Sequence, residues 1–242
     1  MNFYRRAPYL ALITVLLLTT GCVFVRMMRV KSQLNDFEKN FDLNDTRGLT
    51  LVFKNPELHS NDIVWLMKGE PSEKKKIEQG ELWTYVFEKE YLASMDDEGD
   101  YNIPVLMVME NGQLAEISFP ERFLKNLSIP LLKKMFVSMG DAEISKLRKS
   151  ASSKFKGEDA SEIPTAQNVV ETLGKPYSIE NSGEKSEYSY IYYLRKPEGE
   201  KGKKNFKFAM DFTVSNEDKS LLQAKGNIRG IRMSLDFDTV TK

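Results

Sequence analysis

Hydrophobic and polar positions along this chain repeat at a constant spacing. A short stretch of helical periodicity leads to Gly69 and Pro71, and a charged loop then leads into a strand of alternating aromatic residues. An offset of 105 places Gly69 on Gly174 and Pro71 on Pro176. The same offset relates two aromatic strands, Trp83, Tyr85 and Phe87 in the first and Tyr188, Tyr190 and Tyr192 in the second. A constant offset across loops of unlike composition predicts a duplicated module.

Each copy of the pattern predicts a small α+β unit, in which a short helical element packs on three or four antiparallel strands. In the first copy Ser60 is placed to cap a helix over residues 61–68. The dipeptide Asn111-Gly112, flanked by alternating apolar residues, predicts a β-hairpin. The whole chain is therefore expected to fold as two tandem modules of this kind.

The second copy repeats these elements. Thr165 is placed to cap its helix, and Gly174 is placed to end it. A hairpin is expected to pair residues 206–214 with residues 228–237 through a longer charged turn. Aromatic residues at every second position of a strand that faces a helix are expected in the core, and a binding groove lined by them is the alternative.

The segments outside the two copies have their own patterns. Residues 23–48 alternate weakly and contain no proline, so we expect a partly extended membrane tether. The segment between the copies is predicted to be helical, and a second short helix in it carries Ile144 and Leu147. The predicted domains are a signal peptide (residues 1–21), a tether (22–48), a first module (49–119), a helical connector (120–160) and a second module (161–242).

The N-terminus has the pattern of an export signal. Two arginines precede an apolar run, and small residues then lead into Cys22. This resembles a bacterial lipoprotein signal peptide, in which the cysteine is acylated on its thiol and becomes the new N-terminus. Cys22 is the only cysteine, so an internal disulfide is excluded. The alternative is an uncleaved inner-membrane anchor, because residues 7–25 are 19 uncharged residues, close to the length that spans a bilayer.

The repeated motif resembles the BamE (SmpA/OmlA) family of outer-membrane lipoproteins and the wider fold of β-lactamase-inhibitor-protein-like modules. The resemblance rests on the stretch from Leu66 to Pro71 followed by Trp83-Thr84-Tyr85-Val86-Phe87, and on Leu173-Gly174-Lys175-Pro176 followed by Tyr188-Ser189-Tyr190-Ile191-Tyr192. It implies two modules that bind other proteins of the cell envelope. Val23 follows Cys22 where inner-membrane lipoproteins of enterobacteria carry aspartate, which by resemblance implies the outer membrane.

Composition and charge exclude several classes of function. Lys plus Arg and Asp plus Glu both number 35, so the chain lacks the net positive charge of a nucleic-acid binder. His59 is the only histidine and no cysteine follows Cys22, so a histidine triad, a thiol enzyme and a zinc site lack their residues. There is no glycine-rich phosphate loop. We therefore expect neither an enzyme nor a bound cofactor or metal.

Two equivalent hairpin tips carry opposite charge. At the offset of 105 an acidic run corresponds to a basic run. The acidic run lacks the spacing of a calcium loop, which favours a solvated tip. Either the two solvated loops have drifted apart, or the two modules present different electrostatic faces to a partner. The candidate interaction residues are Asp96, Asp97, Glu98, Lys201, Lys203 and Lys204.

Together these observations predict a non-enzymatic lipoprotein of the bacterial cell envelope. Acylated Cys22 is expected to hold it in the outer membrane, where it faces the periplasm and binds another envelope protein in outer-membrane assembly or maintenance. The alternative is an inhibitor or ligand-binding protein that uses the seam between the two modules. No nucleic-acid partner is expected.

Overall fold

The computed structural model describes residues 23–92, 100–145, 147–157, 163–197, 199 and 206–238. The strands are β1 (Phe41–Asn44), β2 (Leu49–Phe53), β3 (Glu73–Ile77), β4 (Gly80–Lys89), β5 (Ile103–Glu110), β6 (Gln113–Phe119), β7 (Glu143–Ser145), β8 (Ser150–Lys156), β9 (Ser178–Ser182), β10 (Lys185–Leu194), β11 (Lys207–Ser215), β12 (Leu221–Ile228) and β13 (Ile231–Asp238). The helices are α1 (residues 23–33), α2 (Phe37–Asn40), α3 (Ser60–Met67), α4 (Ile129–Gly140) and α5 (Ala166–Leu173). Short 3-10 helices cover Leu34–Asp36 and Glu121–Leu124.

Thirteen strands of the described chain form a single sheet. Its main path runs β1-β2-β6-β5-β4-β10-β11-β12-β13-β8-β7, while β3 pairs with β4 and β9 pairs with β10. Strands β8 and β13 are parallel, whereas β4 and β10 are antiparallel. The prediction of a mixed α and β fold is confirmed. The prediction of separate sheets of three or four strands is wrong, because β4 pairs with β10 and joins the first half of the sheet (β1 to β6) to the second half (β7 to β13).

Capping side chains determine where α3 and α5 begin. The Thr165 backbone N–H donates to Asn168 Oδ1 at 2.8 Å, and the Asn168 N–H donates to Thr165 Oγ1, so the predicted cap of α5 is confirmed. Helix α3 begins one residue earlier than predicted, with His59 and not Ser60 as its N-cap. The reason is that the Asp62 carboxylate accepts the His59 N–H at 2.8 Å. A carboxylate in the first turn also interacts favourably with the helix dipole.

The two copies align with three offsets, not with the single offset of 105 expected from the sequence. Strands β3 and β4 map onto β9 and β10 at 105, and in each copy a tyrosine hydroxyl donates to a glycine carbonyl, Tyr85 to Gly69 at 3.2 Å and Tyr190 to Gly174 at 3.0 Å. The helices align at 106, because Lys68 adds a left-handed residue after α3. Strands β6 and β12 align at 107, since the second hairpin turn is longer.

The end of the second half differs from the prediction. Strand β11 is followed by a turn over residues 216–220, by β12, by a tight turn at Arg229 and Gly230, and by β13. The single strand expected over residues 228–237 therefore spans the end of β12, the turn and most of β13. Both turn residues have positive φ, 55° and 80°, which is the geometry of a two-residue hairpin turn.

The segments expected to lie outside the modules also differ from their predictions. Residues 23–48 are extended only in part, at β1: the residues before it form α1 and α2, and the Phe41 side chain is fully buried in the core. In the connector α4 forms, but the predicted second helix does not, because Ile144 lies in strand β7 and Leu147 lies in an exposed turn. Pairing of β8 with β13, far along the chain, overrides the weak local helical pattern.

The main core cluster includes buried residues of both halves of the sheet. Trp83, Tyr85, Tyr190 and Tyr192 are buried in it, so four of the six alternating aromatic residues form core as predicted, whereas Phe87 and Tyr188 are only partly buried. A smaller cluster lies in the second half, where the rings of Phe155 and Phe237 are 5.8 Å apart. The aromatic side chains therefore hold the helices against the sheet.

Candidate functional site

The junction of the two halves is symmetric in its register. Strands β4 and β10 pair through three residue pairs. When 105 is subtracted from the β10 residue numbers, these pairs become 87 with 89, 88 with 88, and 89 with 87. A pseudo-two-fold axis therefore passes through the middle pair. Two backbone bonds obey the same relation, from Glu90 N to Ile191 O and from Arg195 N to Val86 O, each 2.8 Å long. The paired residues are Lys89 with Tyr192, Glu88 with Tyr193, and Phe87 with Leu194.

The side chains at this axis are complementary and not identical. Arg195 Nε donates to Glu88 Oε1 at 2.6 Å. At the symmetric position Tyr193 hydrogen-bonds to Glu90, and this bond raises the pKa of the Tyr193 hydroxyl. If both halves carried the first-half residues, Glu88 would face Glu90 across the axis, which is a repulsive arrangement. The second half therefore supplies the groups that make the junction attractive.

Each half also places an arginine on the last turn of the other half's helix. Arg122 follows β6 and donates to the carbonyls of Thr172 in α5, at 2.8 Å, and of Asn102, at 2.7 Å. Arg229 follows β12 and donates to the Trp65 carbonyl in α3 at 2.7 Å. The two arginines are related by the offset of 107. Cations at helix C-termini satisfy otherwise unpaired carbonyls and interact favourably with the helix dipole.

Side chains fill the junction. The rings of Phe87 and Phe208 are 5.9 Å apart, and the Lys89 side chain is buried beside three tyrosine rings. Gly174 lies so close to Lys89 Nζ that an added Cβ would approach it within 2.6 Å. The junction is thus a packed joint between the two halves. The rings around the Lys89 ammonium are those of Tyr91, Tyr101 and Tyr190.

Helix α1 is attached to the body by side chains along its length. Arg26 Nε donates to Asp62 Oδ2 at 2.6 Å, and the Asp62 side chain is 1% exposed. Burial raises the pKa of Asp62, but the hydrogen bonds from Arg26 and from the His59 N–H outweigh burial and hold the pKa below its ordinary value. Further along α1, Lys31 Nζ donates to the Gly140 carbonyl at 2.6 Å. The helix is therefore fixed at several points.

A groove of about 520 Å³ lies beside α5 in the second half. Tyr188, Val170 and Glu171 are among its lining residues. At the equivalent place in the first half, Trp83 is 3% exposed and the Lys74 ammonium lies 4.2 Å from the centre of its ring. Equivalent strand positions thus carry a covered ring beside α3 and a ring that lines a groove beside α5.

The residues predicted from sequence are only partly placed by the structure. Cys22 and all six charged hairpin residues lie outside the described residues. His59 is the N-cap of α3 and has a structural position. The described ranges contain no group of three or more His, Cys, Asp or Glu side chains that could hold a metal ion. Within the same ranges, no helix combines the length and apolar character needed to cross a bilayer.

The sequence showed no sign of several residues that connect distant parts of the fold. Arg122 and Arg229 share an offset of 107, but their roles depend on carbonyls in the opposite half and have no local signal. The Arg26–Asp62 pair joins residues 36 positions apart. No protein-family model, no curated protein and no solved structure matches the chain.

Proposed function

We propose that this chain is a lipid-anchored protein of the bacterial cell envelope that binds another protein through a rigid body made of two related units. It is not an enzyme in this proposal. Acylated Cys22 anchors it in the outer membrane, and the body faces the periplasm. The two tandem units are the first and second halves of the sheet.

The observation that carries the proposal is the position of the fold relative to Cys22. Val23, the residue that follows Cys22 in the chain, lies in α1 and is buried. Contacts from Arg26 and Lys31 tie α1 to α3 and to the end of α4. An acyl chain on Cys22 would therefore hold the body directly at the lipid surface. Of the basic residues of α1, Arg29 has a side chain that is 62% exposed, where anionic headgroups would attract it.

The symmetry of the junction supports the interpretation as two units. The register of β4 with β10 and the reciprocal arginines follow offsets of 105 and 107. Because side chains fill the joint, it supports a fixed relation between the units and not a ligand cleft between them. A rigid body with two unlike surfaces is suited to binding a protein partner.

The anchor is tested by metabolic labelling with a fatty-acid probe and by membrane fractionation. The wild-type chain should be labelled and should sediment with the outer membrane, whereas Cys22→Ala should lose the label. Asn61→Ala, an exposed change in the described body, serves as the matched control and should be labelled like the wild type. An unlabelled, uncleaved wild-type chain in the inner membrane would contradict the proposal and indicate a spanning anchor.

A further inference from the structure

We propose that the outer edge of β9 binds an extended segment of a partner protein as an additional β-strand. In the described sheet β9 pairs with β10 alone. Four of its five residues are exposed, and the Ile179 side chain is 50% exposed. Hydrogen bonding alternates along an antiparallel strand, so every second residue of β9 directs its N–H and C=O away from β10. Such an edge is a template for another strand.

The equivalent edge in the first half is protected. Strand β3 maps onto β9 residue by residue at the offset of 105, and it carries three consecutive lysines, Lys74 to Lys76. Charged side chains, lysine above all, prevent edge strands from pairing with other chains. At the positions of Lys74 and Lys76, β9 has Ile179 and Asn181. The two edges have the same backbone, and only β9 lacks the protection.

The open groove of the second half lies on the same face of the sheet as the Ile179 side chain. Ile179 is paired with Tyr188, and Tyr188 lines the groove beside α5. Side chains of directly paired residues share one face of the sheet. Alternate side chains of the added strand would therefore lie beside Ile179 on the face that carries the groove. This gives the site an apolar contact in addition to main-chain hydrogen bonds.

The charge of β9 favours a different chain over a second copy of this one. In the antiparallel register that pairs all five residues of two copies, the central Glu180 would stand opposite Glu180 of the second copy. Like charges directly opposite each other destabilise a strand pair. A segment with a lysine or arginine opposite Glu180 and an apolar residue beside Ile179 removes the repulsion. The partner is therefore expected to contribute an extended segment with alternating apolar and basic residues.

This inference rests on the proposed binding role and is tested separately from the anchor. Random twelve-residue peptides displayed on phage are selected against the full-length chain in detergent micelles, and hydrogen exchange then locates the bound peptide. We expect selected peptides to alternate apolar and basic residues and to slow exchange of the β9 amides. Failure of Cys22 labelling would overturn the anchor and leave this result unchanged, because the micelles contain no membrane.

Variants of the two edges provide the matched comparison. Ile179→Lys combined with Asn181→Lys copies the β3 lysines onto β9 and should weaken peptide binding at least tenfold. Lys76→Asn makes the converse change on β3 and should leave the affinity unchanged. Both sets of side chains are exposed, and equal unfolding midpoints verify that the variants fold. Selection of no peptide, protection outside β9, unchanged affinity of the double variant, or a dimer formed through β9 would overturn the proposal.

Discussion

The surfaces beside α3 and α5 differ, although β3 and β4 have the same lengths and the same pairing as β9 and β10. In the first half Lys74 covers the ring of Trp83. In the second half Tyr188 and Ile179 occupy these positions, and Tyr188 lines a groove. The backbone arrangement of the strands is similar in the two halves, since β-bulges occur at equivalent places in β5 and β11. Side chains that maintain this arrangement are constrained by packing, whereas side chains at the edges contact solvent and can differ between the two halves.

The first turns of α3 and α5 differ in the charge of their third residue. In α3 this residue is Asp62, which is paired with Arg26, and in α5 it is the neutral Asn168. Arg26→Met keeps most of the side-chain length but leaves the buried carboxylate without its cation. We expect the free energy of unfolding at pH 7 to fall by about 3–5 kcal/mol, which is typical when one partner of a buried ion pair is removed. Urea titration followed by circular dichroism measures the change.

The pH dependence of this variant distinguishes loss of the ion pair from loss of packing. The folded chain holds the pKa of Asp62 below its ordinary value of 3.8. The stabilisation is therefore complete above the pKa of the unfolded chain and is lost as the pH falls through the lower, folded pKa. The difference between wild type and Arg26→Met should shrink toward pH 3. Asn168→Ala, the matched change in α5, should cost about 1 kcal/mol at both pH values. Equal losses at both pH values for Arg26→Met would contradict the ion-pair argument.

The glycines that accept the two tyrosine hydroxyls provide the next comparison. Gly174 has φ 76° and ψ −169°, a conformation available almost only to glycine, and an added Cβ would lie 2.6 Å from the Tyr101 ring. Gly69 has no neighbouring atom closer than 4.0 Å to such a Cβ. We expect Gly174→Ala to cost about 2–4 kcal/mol and Gly69→Ala less than about 0.5 kcal/mol in thermal or urea unfolding. Similar costs at both sites would show that Gly174 is not confined as described.

The smallest effect is expected at the axis of the junction. The Glu88 and Arg195 side chains are 41% and 49% exposed, so solvent screens their interaction. Arg195→Glu should destabilise the chain by about 1 kcal/mol, and adding Glu88→Arg should recover about 0.5–1 kcal/mol of that loss. A double-mutant cycle in urea at low and high salt measures the coupling. Additive effects that do not change with salt would contradict the charge pairing.

The local elements were predictable where the chemistry lies within a few neighbouring residues. Thr165 caps α5, and Asn111-Gly112 turns the hairpin between β5 and β6. The aromatic alternation indicated core positions correctly at four of its six residues, because a strand presents every second side chain to the same face, whereas Phe87 and Tyr188 are partly buried. The weak patterns were less informative: residues 23–48 were expected to be a partly extended tether but are mostly helical, and residues 143–145 were expected to be helical but form a strand. Residues 23–48 are held by contacts such as that of Arg26 with Asp62, and residues 143–145 pair with β8, which in turn pairs with β13 far along the chain.

The candidate site was less predictable than the fold. The charged hairpin residues proposed from sequence lie outside the described residues, and the edge of β9 was not among the expected sites. A sequence signal for β9 did exist, because the offset of 105 compares three lysines with Ile179-Glu180-Asn181. Its meaning depends on both segments being edge strands, and edge position follows only from the strand order of the whole sheet.

The sequence by itself determined the offset of 105 between the two aromatic strands, the cap of α5, the first hairpin and most of the aromatic core positions. These features follow from interactions between residues close in the chain and from the two-residue period of strands. Only the tertiary structure decided that β4 joins β10, that Arg122 and Arg229 reach across the joint, and that β8 lies parallel to β13. Those arrangements depend on partners brought together by folding, because neighbouring residues do not specify which distant carbonyl or strand edge a group will meet.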